Sequence, residues 1–299
     1  YICFSADHFS IAAGRFKGGV GHGLMGNLFQ NGQAPYYDQI QFTFYASKFK
    51  YYYMMGSSSA KLTESELNIQ TYDSNGWYVD ETDPKNANMR KYTTDCSKLF
   101  AFHRLEYSPA DSLSLGIGEL SVVGGKLPDF YMFNPLGIYH DCYDEHYHGY
   151  YFSVDATWVP AERHMIFAEL LSDQIKAPGE RSKDPTAMGY QLAYWYILPL
   201  ETQTKHRIAL EATHVDGWTY VNKTSYLSMY QRQVQRETTS DIPLGYSQGG
   251  DCEQLSLIYT AVSSTGLKID VTLSRLHKGE IGFRTITDST GTYLAYAKA

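Results

Sequence analysis

The densest run of chemically capable side chains in the sequence is Tyr139-His140-Asp141-Cys142-Tyr143-Asp144-Glu145-His146-Tyr147-His148. On an extended backbone His146 and His148 fall on one face. A metal site needs three or four ligands converging on one point, which a contiguous stretch seldom provides, so no metal is expected here. Flat tyrosine rings interleaved with hydrogen-bonding groups suit a sugar better. In that reading Tyr143 and Tyr147 stack on sugar rings, His140, Asp144 and His148 bond hydroxyl groups, and Tyr139 belongs to the same candidate glycan surface. A second platform is Trp77-Tyr78, set among Asp73, Asp80, Glu81 and Asp83.

Catalytic patterns are weak by comparison, and no enzymatic activity is expected. Glu119 and Glu169 are the type of acid pair that flanks a glycosidic bond, but hydrolysis needs a fixed carboxylate separation that chain spacing does not supply. No G-x-S-x-G nucleophile elbow is present. Gly21-His22-Gly23-Leu24-Met25-Gly26 fits G-x-G-x-x-G, the pattern of dinucleotide loops, which must run into a helix whose amides face pyrophosphate. Asn31-Gly32-Gln33-Ala34-Pro35 follows instead and stops any helix. The stretch is therefore expected to be a loop or tight turn, and no cofactor is expected. Cys3, Cys96, Cys142 and Cys252 stand far apart without a C-x-x-C pair. Three pairings are open to them, and buried thiols are the simplest expectation.

These groups need elements to hold them, and the pattern predicts strands. The chain has 299 residues, a net charge of −7, 19% charged and 15% aromatic residues, with 27 Tyr. Mild acidity argues against a nucleic-acid partner, which needs a basic face. Such aromatic content excludes disorder, and no apolar run approaches the length of a membrane helix. Leu267-Lys268-Ile269-Asp270-Val271-Thr272-Leu273-Ser274 separates aliphatic from polar positions completely at period two, as a strand with one apolar face requires. Residues 112–119 and 208–213 repeat the pattern. Further strands are expected at 8–16, 38–46, 49–55, 99–107, 149–158, 189–197, 218–228, 253–261 and 281–286. Residues 160–171 are rich in helix formers, yet their neighbours on both sides are strands, and we assign them to the sheet. Asp216-Gly217 and Ser263-Ser264-Thr265-Gly266 have hairpin-turn chemistry, and the polar stretches 57–98, 173–186 and 231–251 are expected to be large loops.

Alternation alone does not say which face meets water. A soluble sandwich turns its apolar face inward, whereas an outer-membrane barrel turns it outward to lipid. Strands of about ten residues match a tilted bilayer crossing. Aromatics at strand ends, as in Tyr36-Tyr37, Tyr51-Tyr52-Tyr53, Tyr150-Tyr151, Trp158 and Tyr194-Trp195-Tyr196, match interfacial girdles. With the apolar face outward, Arg104, Glu106, Glu211, Lys268 and Asp270 are expected to line the lumen.

The residues also carry a family resemblance. Gly14-Arg15-Phe16-Lys17-Gly18-Gly19, then Gly26-Asn27-Leu28 and Ala34-Pro35-Tyr36-Tyr37-Asp38-Gln39-Ile40, resemble a stretch of the Wzi-like capsule-assembly outer-membrane proteins. His103-Arg104-Leu105-Glu106-Tyr107, Leu115-Gly116-Ile117-Gly118-Glu119, Asp129-Phe130-Tyr131-Met132-Phe133-Asn134-Pro135 and Phe167-Ala168-Glu169-Leu170-Leu171-Ser172-Asp173 follow in the order of that family. The similarity covers residues 8 to 200. It implies a bacterial outer-membrane barrel that holds surface polysaccharide as a lectin and not as an enzyme.

The expectation is thus an all-β protein, a transmembrane antiparallel up-and-down β-barrel of at least about a dozen strands with long extracellular loops. Residues 1–299 are expected to form a single outer-membrane barrel domain that lacks upstream sequence; Tyr1-Ile2-Cys3-Phe4 shows neither Met nor a leader pattern, so either a targeting segment has been removed or the chain is a piece of a longer one. The expected role is anchoring or organising capsular polysaccharide, with membrane lipid and surface polysaccharide as partners. Two other functions fit the same residues: a general porin for small solutes, and a secreted all-β glycan-active enzyme.

Overall fold

The structure, a computed structural model, describes residues 1–299 except positions 35, 60, 62–76, 79–88, 91–97, 125–129, 135, 140–147, 175–185, 201, 223–226, 236–237, 283–284, 288–292 and 297–299. Its strands are β1 (Ile2–Ser5), β2 (Phe9–Phe16), β3 (Tyr37–Ala46), β4 (Phe49–Ser58), β5 (Trp77–Tyr78), β6 (Met89–Arg90), β7 (Lys98–Ala110), β8 (Leu113–Gly124) and β9 (His148–Trp158). They continue with β10 (His164–Gln174), β11 (Ala187–Ile197), β12 (Thr204–Val215), β13 (Tyr230–Gln235), β14 (Thr238–Pro243), β15 (Cys252–Ser263), β16 (Lys268–Lys278), β17 (Thr285–Thr287) and β18 (Tyr293–Tyr296).

Twelve strands form one antiparallel sheet in the order β1-β2-β3-β4-β7-β8-β9-β10-β11-β12-β15-β16, so chain neighbours within it are sheet neighbours. The sheet is not closed: β1 and β16 are its two edges. Short turns at 47–48, 111–112, 159–163, 198–203 and 264–267 join strands at one rim. The connections 17–36, 59–97, 125–147, 175–186 and 216–251 all leave from the other. This is the asymmetry of an up-and-down barrel.

The two faces sort as the alternation requires. On β15, Leu257 is 43% exposed while its neighbour Ser256 is 1% exposed. Leu257 stands opposite Leu210 of β12 and Leu273 of β16, which continue the apolar outer row. On β16, Ser274 and Asp270 hydrogen-bond Ser256 and Thr260 of the inner face, at 2.8 and 2.7 Å. Ile269, Val271 and Leu273 therefore point outward and are exposed. The inner face is curled around chain from the long-loop rim: Leu28, Phe29, Tyr220, Leu244 and Tyr246 share one buried cluster with inward residues of β3, β4, β7, β8, β9, β10, β12 and β15.

Several elements differ from the sequence reading. The described part of 218–228, expected as a strand, instead turns at 217–220, and Thr219, Tyr220, Leu227 and Ser228 are fully buried. A short apolar run satisfies any dry surroundings, and periodicity does not tell a buried irregular segment from a strand. The ribbon β13–β14 lies in a stretch expected as loop, and β1 was not anticipated. Asp216-Gly217 opens the interior segment and makes no hairpin. Of the aromatic clusters assigned to girdles, only alternate members face outward: Tyr37, Tyr52, Tyr151 and Trp195 point inward. Residues 164–174 are strand, because β9 and β11 pair with them on both sides and override helix propensity.

The outward row makes a direct prediction. Leu257→Arg places a charge on the lipid face and should lower stability by about 2–4 kcal/mol near mid-bilayer. Ser256→Ala, on the opposite face of the same strand, should cost far less. Denaturant midpoints of the barrel refolded into vesicles measure both, and equal effects would contradict the assignment of faces.

Candidate functional site

Part of the chemistry-bearing inner face, Glu169, Gln191 and Glu211, holds chain that lies within the curl of the sheet. The backbone from Gly21 to Asn31 turns back inside the sheet, helped by Gly26 at φ +122°, a left-handed value that a side chain would strain. This brings two pairs of consecutive amides against two carboxylates. Glu211 of β12 accepts from Leu24 N (2.5 Å) and Met25 N (3.2 Å). Glu169 of β10 accepts from Leu28 N (2.8 Å) and Phe29 N (2.9 Å). Between them Gln191 of β11 donates to the Gly26 carbonyl at 2.7 Å. Glu169 stands directly opposite Gln191 in the sheet, and Glu211 is opposite Ala193, two residues further on.

A second stretch with interior residues, at 216–222 and 244–251, is tied to the first and to the wall. Tyr220 donates its hydroxyl hydrogen to the Leu28 carbonyl (2.7 Å), and its hydroxyl oxygen accepts from Tyr246 N (3.1 Å). Burial raises the Tyr220 hydroxyl well above its ordinary pKa, so it remains a donor. Asp173 of β10 accepts from Tyr220 N at 2.8 Å. Asn31 N donates to the Leu244 carbonyl at 2.6 Å, and Ser247 donates to the Met25 carbonyl. Leu28 and Phe29 then pack where the wall has glycine: a Cβ on Gly189 or Gly118 would sit 3.3 or 3.0 Å from them. The result is a double plug, stitched together and fixed to the strands.

Closer to the short-turn rim the inner face keeps paired charges. Arg104 forms a two-pronged pair with Asp155 and also reaches Glu106, which pairs with Lys50. The guanidinium lies across Gly116, where a Cβ would overlap it. Lys268 pairs with Asp270 at 2.7 Å on the inward side of edge strand β16. Arg104, Glu106, Glu211, Lys268 and Asp270 thus share the inner face, but Glu211 lies beneath the plug. Glu169 was visible in the sequence as half of an acid pair and, with Asp173, inside the Phe167–Asp173 motif, in both cases without the role seen here. Gln191, Tyr220 and Tyr246 were not singled out, since their role is to meet a loop remote in the chain.

The candidate glycan residues are spread differently. Trp77 and Tyr78 form β5 and pair with Arg90 and Met89 of β6. Tyr139 is fully buried against the outer wall, and His148, at the start of β9, is buried with its ring against Tyr150. Neither presents a face to solvent. His140, Tyr143, Asp144 and Tyr147 lie outside the described residues.

The carboxylate latches can be tested one by one. Glu169→Gln and Glu211→Gln each keep one acceptor oxygen but oppose a backbone N–H with an amide N–H. Each should weaken the plug by about 1–3 kcal/mol. The double variant should expose residues 17–36 to limited proteolysis while the barrel still migrates as folded. Unchanged protease resistance would show that packing alone holds the plug.

No protein-family model matches the chain, and no curated protein matches it. Among solved structures its fold is similar to that of Wzi, an outer-membrane protein involved in group 1 capsule assembly in Escherichia coli and described as a carbohydrate-binding β-barrel. The TM-score is 0.62 at 12% identity, over 93% of this chain and 56% of Wzi. The chain therefore spans little more than half the length of that protein. Weaker likenesses are to the toluene transporters TodX of Pseudomonas putida (TM-score 0.33, 10% identity, 81% of this chain and 68% of that one) and TbuX of Ralstonia pickettii (0.29, 11%, 82% and 72%). At such identity the likeness to Wzi shows the fold, which is that of an outer-membrane β-barrel.

Proposed function

We propose that this chain is part of a bacterial outer-membrane barrel that anchors or organises surface polysaccharide at its long-loop rim, without enzymatic activity. The observation that supports this most is the plug. Two chain segments and their hydrogen bonds occupy the interior where a porin needs water, so activity belongs at the rim and not through the bore. The strand ends that flank the candidate sugar-binding segments, Ser58 with Lys98 and Gly124 with His148, all stand on that rim. The carbohydrate binding of Wzi, which shares the fold, agrees with this assignment. In this reading the apolar outer row contacts membrane lipid, the long connections face outward from the cell, and Trp77, Tyr78, Tyr143 and Tyr147 stack on sugar rings. Carboxylate and imidazole groups beside them, Asp144 and His140, bond sugar hydroxyls.

Two measurements test it. The full chain in planar bilayers should pass no steady current, whereas stable open conductance would favour the porin. Vesicles carrying the protein should retain capsular polysaccharide. The Trp77→Ala/Tyr78→Ala and Tyr143→Ala/Tyr147→Ala variants should each bind about a hundredfold more weakly, the loss expected for two stacking contacts of about 1.4 kcal/mol each. Unchanged retention in both double variants would remove the lectin assignment.

A further inference from the structure

On the outward face of β7 and β8 the apolar band changes character. Tyr107 and Leu105, then Leu115 and Ile117, are exposed and apolar. The next outward positions toward the long-loop rim are His103 on β7 and Glu119 and Ser121 on β8. One outward step along a strand is two residues, about 7 Å, so these polar groups begin directly beside the band. They are not left open. The chain after β8 folds back down the outside of the wall and covers them. Tyr139 lays its ring 4.6 Å from that of His103 and donates its backbone N–H to Glu119 at 2.8 Å. Met132 accepts through its carbonyl from the Tyr53 hydroxyl at 2.9 Å. Met132 and Tyr139 share a buried cluster with the outward residues Tyr53, Met55, Ala101 and Val123. Alternate residues of the same three strands, Met54, Phe102 and Leu120, belong to the interior cluster, so this second cluster lies on the outer surface.

What the flap turns away from the wall is apolar apart from Asn134. Phe130, Phe133, Leu136 and Ile138 are 94, 52, 79 and 57% exposed. No charged residue occurs between 130 and 139. The flap therefore exchanges an outward polar patch for an outward apolar one, at the edge of the lipid-facing band. In water that exchange is unfavourable, since it hides groups that water would solvate and exposes rings that water excludes. In a bilayer it is favourable for the same reasons. A neutral, aromatic-rich surface continuous with the band fits the headgroup–acyl boundary, where Phe and Leu side chains enter and no charge is dehydrated.

We infer that residues 130–134 and 136–139 form a lipid-embedded flap, which extends the membrane contact of the barrel into the leaflet on the long-loop side. This rests on the membrane-barrel reading above, and the experiment separates the two. Leu136→Trp and, independently, Ile138→Trp are placed in the full chain and reconstituted in phosphatidylcholine vesicles. Leu192→Trp, on the exposed outer row of β11, serves as the band reference. Emission is taken as the difference from the unchanged chain, which has four tryptophans of its own. Heat-modifiable gel migration confirms that each variant is folded. The flap tryptophans should lose most of their added emission to lipid brominated near the glycerol end of its chains and little to aqueous iodide. The Leu192→Trp signal should be quenched by lipid brominated deeper. Quenching of the flap tryptophans by iodide alone, with Leu192→Trp still quenched by lipid, would overturn the flap and leave the barrel standing; that is also the result if a soluble partner covers these residues. Iodide quenching at all three positions would overturn the barrel and the flap together.

Discussion

A backbone amide shut inside a barrel must find an acceptor there, because the surrounding space excludes water and an unmet donor is expensive. That constraint governs the interior of this protein. Segment 17–36 brings Leu24, Met25, Leu28 and Phe29 inward with four amides to satisfy, and irregular backbone has no strand partner to supply acceptors. Two carboxylates supply them, each spanning a consecutive pair. The arrangement works in both directions. A buried carboxylate without donors is unstable in dry surroundings, and the amide dipoles that need it also compensate its charge. Glu169 and Glu211 therefore make sense only with the plug in place, and the plug only with them.

The same constraint separates what was legible in the chain from what was not. Strand existence, antiparallel order and the outward direction of Leu257, Ile269, Val271 and Leu273 follow from period-two alternation, a local property written in adjacent residues. The identity of Arg104, Glu106 and Glu211 as inner-face residues follows from the same parity. What those residues do does not follow. Glu211 meets Leu24 across most of the chain, and Tyr220 meets Leu28 over a similar span. No local pattern announces such a pairing. The segment around Tyr220 was misassigned for a related reason: its apolar residues fit the interior of a plug as well as the face of a sheet. Parity also corrects the aromatic clusters, since Tyr52 cannot share the outer side of the wall with Tyr51 and Tyr53.

Glycine placement adds a second long-range signal that only the fold interprets. Gly116, Gly118 and Gly189 occupy inner-face positions where alternation asks merely for something small or polar. Their reason lies opposite. Gly116 leaves room for the Arg104 guanidinium to reach Asp155, and Gly118 and Gly189 receive Phe29 and Leu28. Gly26 of the plug loop answers a different neighbour, since a Cβ there would sit 3.2 Å from Asn31 and Ser247 of the plug itself.

The loops complete on each face what the strands leave unfinished. Inside, the strands present acceptors and hollows, and the plug provides amides and side chains to match them. Outside, β7 and β8 carry His103, Glu119 and Ser121 beyond the apolar band, and the chain after β8 covers them. Both connections leave the same rim and fold back on opposite sides of the wall. Where the outward face of β7 and β8 turns polar beside the lipid-facing band, it carries groups that lipid cannot satisfy. Folding a loop back over it is less demanding than rewriting the strand, because a loop can satisfy donors and acceptors one at a time, as Tyr139 does for Glu119 and Met132 does for Tyr53. A rim built this way is already committed to close packing near the wall. In the function proposed above, recognition of a large external ligand is then left to the parts of the long connections that neither the bore nor the wall has claimed.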